Sequence, residues 1–262
     1  MQMIEFYAAL NRWVNDNRLG VTGTIVSGKL SKCPVGSKFL TDENGQDVLG
    51  QIDAELMTLL EESIQDVLRI KTPKLIELEF LNESVKVFLD PILPQARLLI
   101  LGGGHIAVPL AEMGKLLEFQ VSVVDDRPSF ANSARFQQVS QVLCQDFETA
   151  IREFEFDANT YIIIVTRGHR HDKTCLAEVL KKTKPAYIGM IGSRRKVAAL
   201  FEDLREDGFS EAELKSVHAP IGLDIGAQTP AEISVSIMAE IIMIRRFGYS
   251  SGLKTQGGKR NG

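Results

Sequence analysis

Cysteine is scarce in this chain. Cys33, Cys144 and Cys175 are odd in number and far apart, so they build neither a disulfide framework nor a Cys-x-x-Cys metal pair. A reduced, cytoplasmic home is the expectation that follows. Long apolar runs are lacking too: no window approaches the roughly 18 uncharged apolar residues of a membrane-spanning helix, and no membrane contact is expected. The opening "MQMIEFYAALNRWVNDNR" has neither the basic end nor the continuous apolar run of a signal peptide. Positive charge is not in surplus. Thirty Lys and Arg stand against 34 Asp and Glu, a net charge of −4, which argues against a generic nucleic-acid-binding surface. There is no fixed-period repeat, no G-x-S-x-G elbow, no Walker A sequence and no pair of carboxylates that reads as an acid/base couple.

What is present is the balance of a soluble globular protein, 44% hydrophobic and 24% charged over 262 residues, a length comfortable for two domains. Residues 1–93 read as a small α+β domain. Ile4, Phe6, Tyr7, Leu10, Trp13 and Val14 form a helical stripe over 2–18. "GVTGTIVSGK" and "GSKFLTDENGQDVLG" read as strands joined by turns, with a hairpin expected at Asn44-Gly45. A helix is expected from Asp53 to Leu68, then strands over "KLIELEFL" and "SVKVFLDPIL". Asp90-Pro91 and Leu93-Pro94 mark a linker, because proline removes a donor and restricts the residue before it.

From residue 96 to 249 the pattern changes. "RLLILG", "QVSVVDD", "QVSQVLCQD", "TYIIIVTRG", "AYIGMIGS" and "KSVHAPIG" read as strands. Helices over 105–118, 147–154, 172–182 and 194–207 separate most of them. This is the grammar of βαβ units: an α/β fold with a Rossmann-like parallel sheet and helices on both faces. The last helix is announced by Thr229-Pro230-Ala231-Glu232, a cap, a first-turn proline and a capping-box glutamate, with Gly248 as its stop. Residues 250–262 read as a flexible tail.

Four stretches carry candidate chemistry. In "RLLILGGGHIAVPL", Gly102, Gly104 and Ala107 match G-x-G-x-x-G/A between a strand and a helix, with Gly103 and His105 in the same turn. Such a turn brings backbone N–H groups and a helix dipole to an anion. Asp125, with Asp126 and Arg127 beside it, ends the next strand, where an acid takes adenosine ribose hydroxyls and favours NAD over NADP. In "GMIGSRRK", Gly192 and the cap Ser193 lead into Arg194, Arg195 and Lys196. Cations at a helix start oppose its dipole, and a bound anion relieves that conflict. In "TRGHRHD", Thr166 leads to His169, His171 and Asp172, a loop at the carboxyl end of the sheet suited to ligand contact or proton transfer; no metal site is expected. In "HAPIGLDIGAQTPAE", His218, Gly222 and Asp224 belong to a shaped loop that also leaves the sheet end.

Taken together, "LGGGHIAVPLAEMGKLLEFQVSVVDDRPSFA", "YIGMIGSRRK" and "HAPIGLDIGAQTPAEISVSIMAEI" resemble the XdhC/CoxI family. The resemblance covers residues 96–247 strongly. It implies a small N-terminal domain before a Rossmann domain, and an accessory role in maturing molybdenum hydroxylases such as xanthine dehydrogenase. Members bind molybdenum cofactor, protect it while its terminal sulfur is installed, and hand it to the apoenzyme. The implied partners are that apoenzyme and a cysteine desulfurase. A homodimer is expected from the frequency of two-fold assemblies. The N-terminal half departs from the family pattern. Where a Ser-Gly-Gly-Cys type of run belongs, this chain has "GQIDAELM", with Leu56 near the cysteine position and Cys33 in a neighbouring turn. Two other readings stay open on the residues alone: an NAD-dependent oxidoreductase using His169 or His171 as acid/base, and a nucleotide-sensing module without a delivery function.

Overall fold

A computed structural model describes residues 3–137, 139–182 and 185–247. The chain divides into two compact units, Met1–Pro94 and Gln95–Gly262.

The first unit holds α1 (Met3–Asn15), β1 (Gly20–Ser27), β2 (Lys38–Thr41), β3 (Leu49–Gly50), α2 (Ala54–Ile70), β4 (Lys74–Phe80) and β5 (Glu83–Ile92). Its strands form one antiparallel sheet in the order β3-β2-β1-β5-β4. Neighbouring residues on a strand face opposite sides, and this sheet uses both. Phe39 joins Leu56, Leu60 and Ile64 in the larger core, while Leu40 joins Phe6 and Trp13 of α1. The Asp53 carboxylate caps α2 by accepting the Glu55 N–H, and Lys71 ends the helix at φ 54°.

One local expectation is refined here and another is corrected. Asn44-Gly45 does lie in a hairpin connection, but the ladder closes earlier, at Leu40 opposite Leu49. The loop beyond is organised by the Asp42 carboxylate, which accepts the N–H groups of Gln46 and Asp47 at 2.8 and 3.2 Å. The tight two-residue turn falls instead at Leu81-Asn82. Phe80 pairs with Glu83, and both intervening residues have positive φ, 54° and 61°, as a type I′ turn requires. Pro91 does not break the chain into a linker either. β5 runs through it, paired to Val21, while β4 stops at Lys74 opposite Leu89. The missing donor therefore falls where β5 has a neighbour on one side only, a position sheets tolerate.

The second unit holds β6 (Arg97–Leu101), α3 (Ala107–Leu116), β7 (Gln120–Asp125), β8 (Gln141–Cys144), α4 (Phe147–Glu153), β9 (Thr160–Ile164), α5 (His169–Leu180), β10 (Tyr187–Met190), α6 (Arg194–Glu206), α7 (Glu211–Lys215), β11 (Val217–His218) and α8 (Pro230–Phe247). All six strands are parallel, in the order β8-β7-β6-β9-β10-β11. The direction of winding reverses between β6 and β9, and in open α/β sheets that point opens a crevice at the carboxyl ends of the strands. α3 and α8 pack against Leu98, Ile100, Val121 and Ile163 on one face; α4, α5 and α6 pack against Leu99, Leu101, Ile162 and Ile164 on the other. β9 is buried along its whole length, as a strand covered on both faces must be. This is the expected α/β doubly wound sheet with a separate antiparallel sheet before it. The β7–β8 connection is the exception to strict alternation, built from turns with no helix among its described residues.

α8 starts as its sequence dictates: the Thr229 hydroxyl accepts the Glu232 N–H at 3.3 Å, and the Glu232 carboxylate accepts the N–H groups of Thr229 and Gln228 at 3.0 and 2.8 Å. Gly248 and the tail over 250–262 lie outside the described residues.

Leu81 is an exposed apolar residue held in the left-handed region, which costs a branched side chain about 1–2 kcal/mol and asparagine much less. Leu81→Asn is therefore expected to stabilise the first unit by roughly 0.5–1 kcal/mol, read as a higher urea midpoint with an unchanged slope.

Candidate functional site

The glycine turn between β6 and α3 sits at the reversal point of the sheet. Its three glycines are there for different reasons. Gly102 has φ 114°, and a Cβ on it would stand 2.4 Å from the Val165 carbonyl oxygen beyond β9. A Cβ on Gly103 would stand 2.6 Å from the Phe130 carbonyl oxygen. Both are glycine because the protein packs on itself. Around Gly104, nothing lies within 4 Å of an added Cβ. No side chain caps α3 at Ile106, and among the described residues the N–H groups of Gly104, His105 and Ile106 have no acceptor. A helix start with open donors beside an open glycine is what an anion needs.

Asp125 has a different role from the one its position suggests. Its carboxylate is 1% exposed. It accepts the Gly103 N–H at 2.8 Å, the Arg127 N–H at 3.1 Å, and Arg127 Nε and Nη2 at 2.8 and 2.9 Å. Those four bonds fill the acceptor capacity of a carboxylate. Burial pushes the Asp125 carboxyl up, but the Arg127 guanidinium and the two N–H groups outweigh it and hold the group ionised below the ordinary range. Asp125 therefore braces the glycine turn from inside and offers nothing to a ribose.

The next two strand ends are linked by charge. Asp126, after β7, pairs with both terminal nitrogens of Arg167, after β9, one of them at 2.8 Å. The Arg167 guanidinium holds the Asp126 carboxyl down at about 2. Thr166 donates its hydroxyl to Asp172 at 2.6 Å, and burial pushes the Asp172 carboxyl up against that bond.

The His169, His171 and Asp172 stretch is not a loop. All three occupy the first turn of α5, behind a Gly168 cap. Helical spacing spreads them. His169 Nε2 points to Asp203 of α6 at 3.4 Å, the His171 ring meets Phe147 edge-on at 5.7 Å, and Asp172 turns to Thr166. They do not converge as an acid/base set. No group of three His, Cys, Asp or Glu among the described residues is placed to hold a metal ion.

At the end of β10, Ser193 caps α6 by accepting the Lys196 N–H at 3.4 Å. Gly192 precedes it, and Arg194, Arg195 and Lys196 follow, exposed and without an ion-pair partner among the described residues. At the end of β11, His218 is buried rather than open. Its ring stacks on Tyr187, centroids 4.7 Å apart, and its Nδ1 lies 3.5 Å from Glu240 Oε1. Glu240, itself 1% exposed, also accepts the Tyr187 hydroxyl at 2.5 Å and the Gly222 N–H at 3.3 Å. Asp224 is exposed in the loop that follows.

α8 is thus a brace for the site. Besides Glu240, its Ser236 donates to the Leu223 carbonyl at 2.6 Å, and its Ser234 hydroxyl lies 2.8 Å from the Pro230 carbonyl and 3.2 Å from the Ile106 carbonyl. Sequence reasoning missed these serines, Glu240, Tyr187, Arg135 and Arg167. For Arg167, its place directly after a buried strand was an available signal; the α8 residues carry none, because their partners are remote in the chain.

The candidate positions therefore gather along the carboxyl edge of one sheet, in the manner of a Rossmann-type ligand domain. The family described as XdhC Rossmann domain matches residues 98–241, and the chain belongs to it. It is 31% identical over 183 residues to a protein of Bacillus subtilis named as a probable xanthine dehydrogenase component, covering 70% of this chain and 52% of that one. It is 26% identical over 100 residues to the Escherichia coli molybdenum cofactor insertion chaperone PaoD, covering 38% of this chain and 31% of that one. The chain thus spans about half of one relative's length and a third of the other's. A crystal structure of a xanthine dehydrogenase from Bacillus halodurans shares the fold, with a TM-score of 0.54 at 19% identity over 94% of this chain and 97% of that one. In the N-terminal unit, Leu56 is a buried hydrocarbon side chain and the Cys33 thiol is buried too, at 1% exposure. Cys144, at the end of β8, is exposed.

Two expectations follow. Gly102→Ala, which sets a methyl against the Val165 carbonyl at a positive φ, is expected to cost about 2–4 kcal/mol, whereas Gly104→Ala stays within about 0.5 kcal/mol of the parent in urea unfolding. The Asp126 carboxyl lies below its ordinary value, so its pair with Arg167 stabilises the fold above about pH 4 and fades as pH falls towards 2. Arg167→Gln is expected to remove on the order of 1 kcal/mol at pH 7 and to flatten that acid limb, since the pair is partly solvated.

Proposed function

We propose that this protein is an accessory factor in the maturation of a molybdenum hydroxylase of the xanthine dehydrogenase type, carrying molybdenum cofactor as cargo for the apoenzyme. The observation that carries the reading is the open space over Gly104, bordered by three N–H groups without acceptors among the described residues. The cargo fits that donor set: its pterin bears a terminal phosphate, which in many bacteria is extended to a pyrophosphate and nucleotide. The phosphate sits at the α3 start, where backbone donors and the helix dipole both favour negative charge. The exposed cations at the start of α6 supply a second anion-attracting surface on the same sheet edge. The names of its relatives, a probable xanthine dehydrogenase component and a molybdenum cofactor insertion chaperone, support the same role.

The NAD-dependent reading gains nothing from the site. Its ribose acceptor, Asp125, is saturated by Gly103 and Arg127, and its candidate acid/base residues point to three different neighbours. What this chain's residues do is bind and release. The glycine turn holds an anion, Asp125 and Ser234 hold the turn, and Glu240 holds the loop after β11 in place.

The test is incubation with molybdenum cofactor released from a donor enzyme, followed by desalting. Molybdenum and pterin fluorescence are expected to elute with the protein, and adding the loaded protein to cofactor-free hydroxylase is expected to restore activity. Gly104→Asp sets a carboxylate against the phosphate and is expected to weaken retention by at least about tenfold, with folding unchanged. Elution of the protein free of molybdenum, with full NAD binding by calorimetry, would refute the proposal.

A further inference from the structure

The ends of β7 carry more arginine than their acids require. Asp125 is neutralised by Arg127, and Asp126 by Arg167. Arg135 then remains. Its Nη2 donates to the Gly103 carbonyl at 3.1 Å, it has no carboxylate within ion-pair distance among the described residues, and its Nε is buried without an acceptor. The side chain as a whole is half-buried, and only its Nε donor is cut off from both water and an acceptor, an unmade hydrogen bond that carries a cost. The surplus charge is also concentrated. The Arg127-Pro128-Ser129-Phe130 turn, closed by the Phe130 N–H to the Arg127 carbonyl at 2.9 Å, folds Phe130 back so that its ring meets two guanidiniums. Arg127 lies 3.6 Å and Arg135 5.2 Å from its centroid. Asp125 already compensates Arg127, so the charge left over at this ring is that of Arg135.

Both guanidiniums are tied to a single residue, Gly103. Arg127 reaches the Gly103 N–H through Asp125, and Arg135 takes the Gly103 carbonyl. The next residue is Gly104, the open one. In dinucleotide-binding sheets this corner presents a free acid to the adenosine ribose. Here the acid is consumed and the corner is left positive.

We propose that Arg135, with Arg127 and Phe130, forms a phosphomonoester corner: it takes the doubly charged terminal phosphate of a ligand in place of a ribose diol. The inference rests on the glycine turn being an anion cradle, and it narrows the ligand class. A phosphodiester, as in NAD, brings one charge per phosphate and two free oxygens. A monoester brings up to two charges and three acceptor oxygens, enough for a guanidinium to be met on more than one oxygen. The form of the cargo selected is then the pterin with a terminal phosphate, over its nucleotide-extended form.

Calorimetry on the whole chain tests this without molybdenum. AMP, inorganic phosphate and NAD are the probes. AMP is expected to bind at least about tenfold more tightly than NAD, although NAD contains the same adenosine, and phosphate is expected to compete with AMP. AMP affinity is expected to fall severalfold from about pH 7.5 to 5.5, as the phosphate loses its second charge near its pKa of about 6. Arg135→Gln is expected to weaken AMP at least about tenfold with little change in melting temperature, and Arg135→Lys to recover part of the loss. NAD binding as tightly as AMP, or an AMP affinity indifferent to Arg135→Gln, overturns the inference. If AMP behaves as expected while molybdenum cofactor is not retained, the corner stands and the cargo reading falls. If cofactor is retained equally by the parent and Arg135→Gln, the corner falls and the cargo reading stands.

Discussion

The Asp125 carboxylate organises the second unit's ligand edge through four hydrogen bonds, one to the Gly103 N–H and three to Arg127. A buried, ionised carboxylate survives only when its lone pairs are met, so this group cannot be idle. It fixes the first half of the glycine turn from below. Because the Gly103 N–H is spent inward, the donors left to face outward are those of Gly104, His105 and Ile106. One interaction thus decides both which amides of the turn stay open and which carboxylate is closed to a sugar.

The rest of the edge follows from charge placed on rigid elements. β6, β7 and β9 are covered on both faces, so the residues leaving their ends have little freedom. Asp126 and Arg167 join two of those ends. α8 fixes the others through Ser234, Ser236 and Glu240, buried polar groups on a helix that otherwise packs apolar side chains against the sheet. Ser234, Ser236 and Glu240 Oε1 are hydrogen-bonded, whereas Glu240 Oε2 is buried without a partner among the described residues, and such groups set loop positions more than they add stability. The outcome is an edge in which Asp125 and Asp126 are each paired with an arginine, leaving a small positive remainder at Arg135 and at the start of α6.

Much of this was legible in the sequence. The strand–Gly-Gly-Gly–helix turn, the buried run at 160–164 and the Thr-Pro-Ala-Glu start of α8 each specify local structure by themselves, and alternation of strands and helices specifies the parallel sheet. The site was legible as positions but not as roles. Spacing placed Asp125 at a strand end, yet nothing in spacing says that Arg127, two residues on, folds back to saturate it. The histidines of "TRGHRHD" looked convergent in one dimension, and a helical turn separates them. The Tyr187–Glu240 bond joins residues 53 apart in the chain, and no local pattern announces such a pair. In the first unit, Leu81-Asn82 carries no turn-favouring pair, and it is the register of β4 against β5 that sets the tight turn there.

The most direct measurement of the central claim is an amide NMR titration of the whole protein with a phosphate-bearing ligand. The Gly104, His105 and Ile106 signals are expected to shift together while Gly103, held by Asp125, moves least among the turn residues. A large Gly103 response with Gly104–Ile106 unchanged would contradict it, because the ligand would then be displacing the Asp125 brace and taking the corner as an ordinary dinucleotide site.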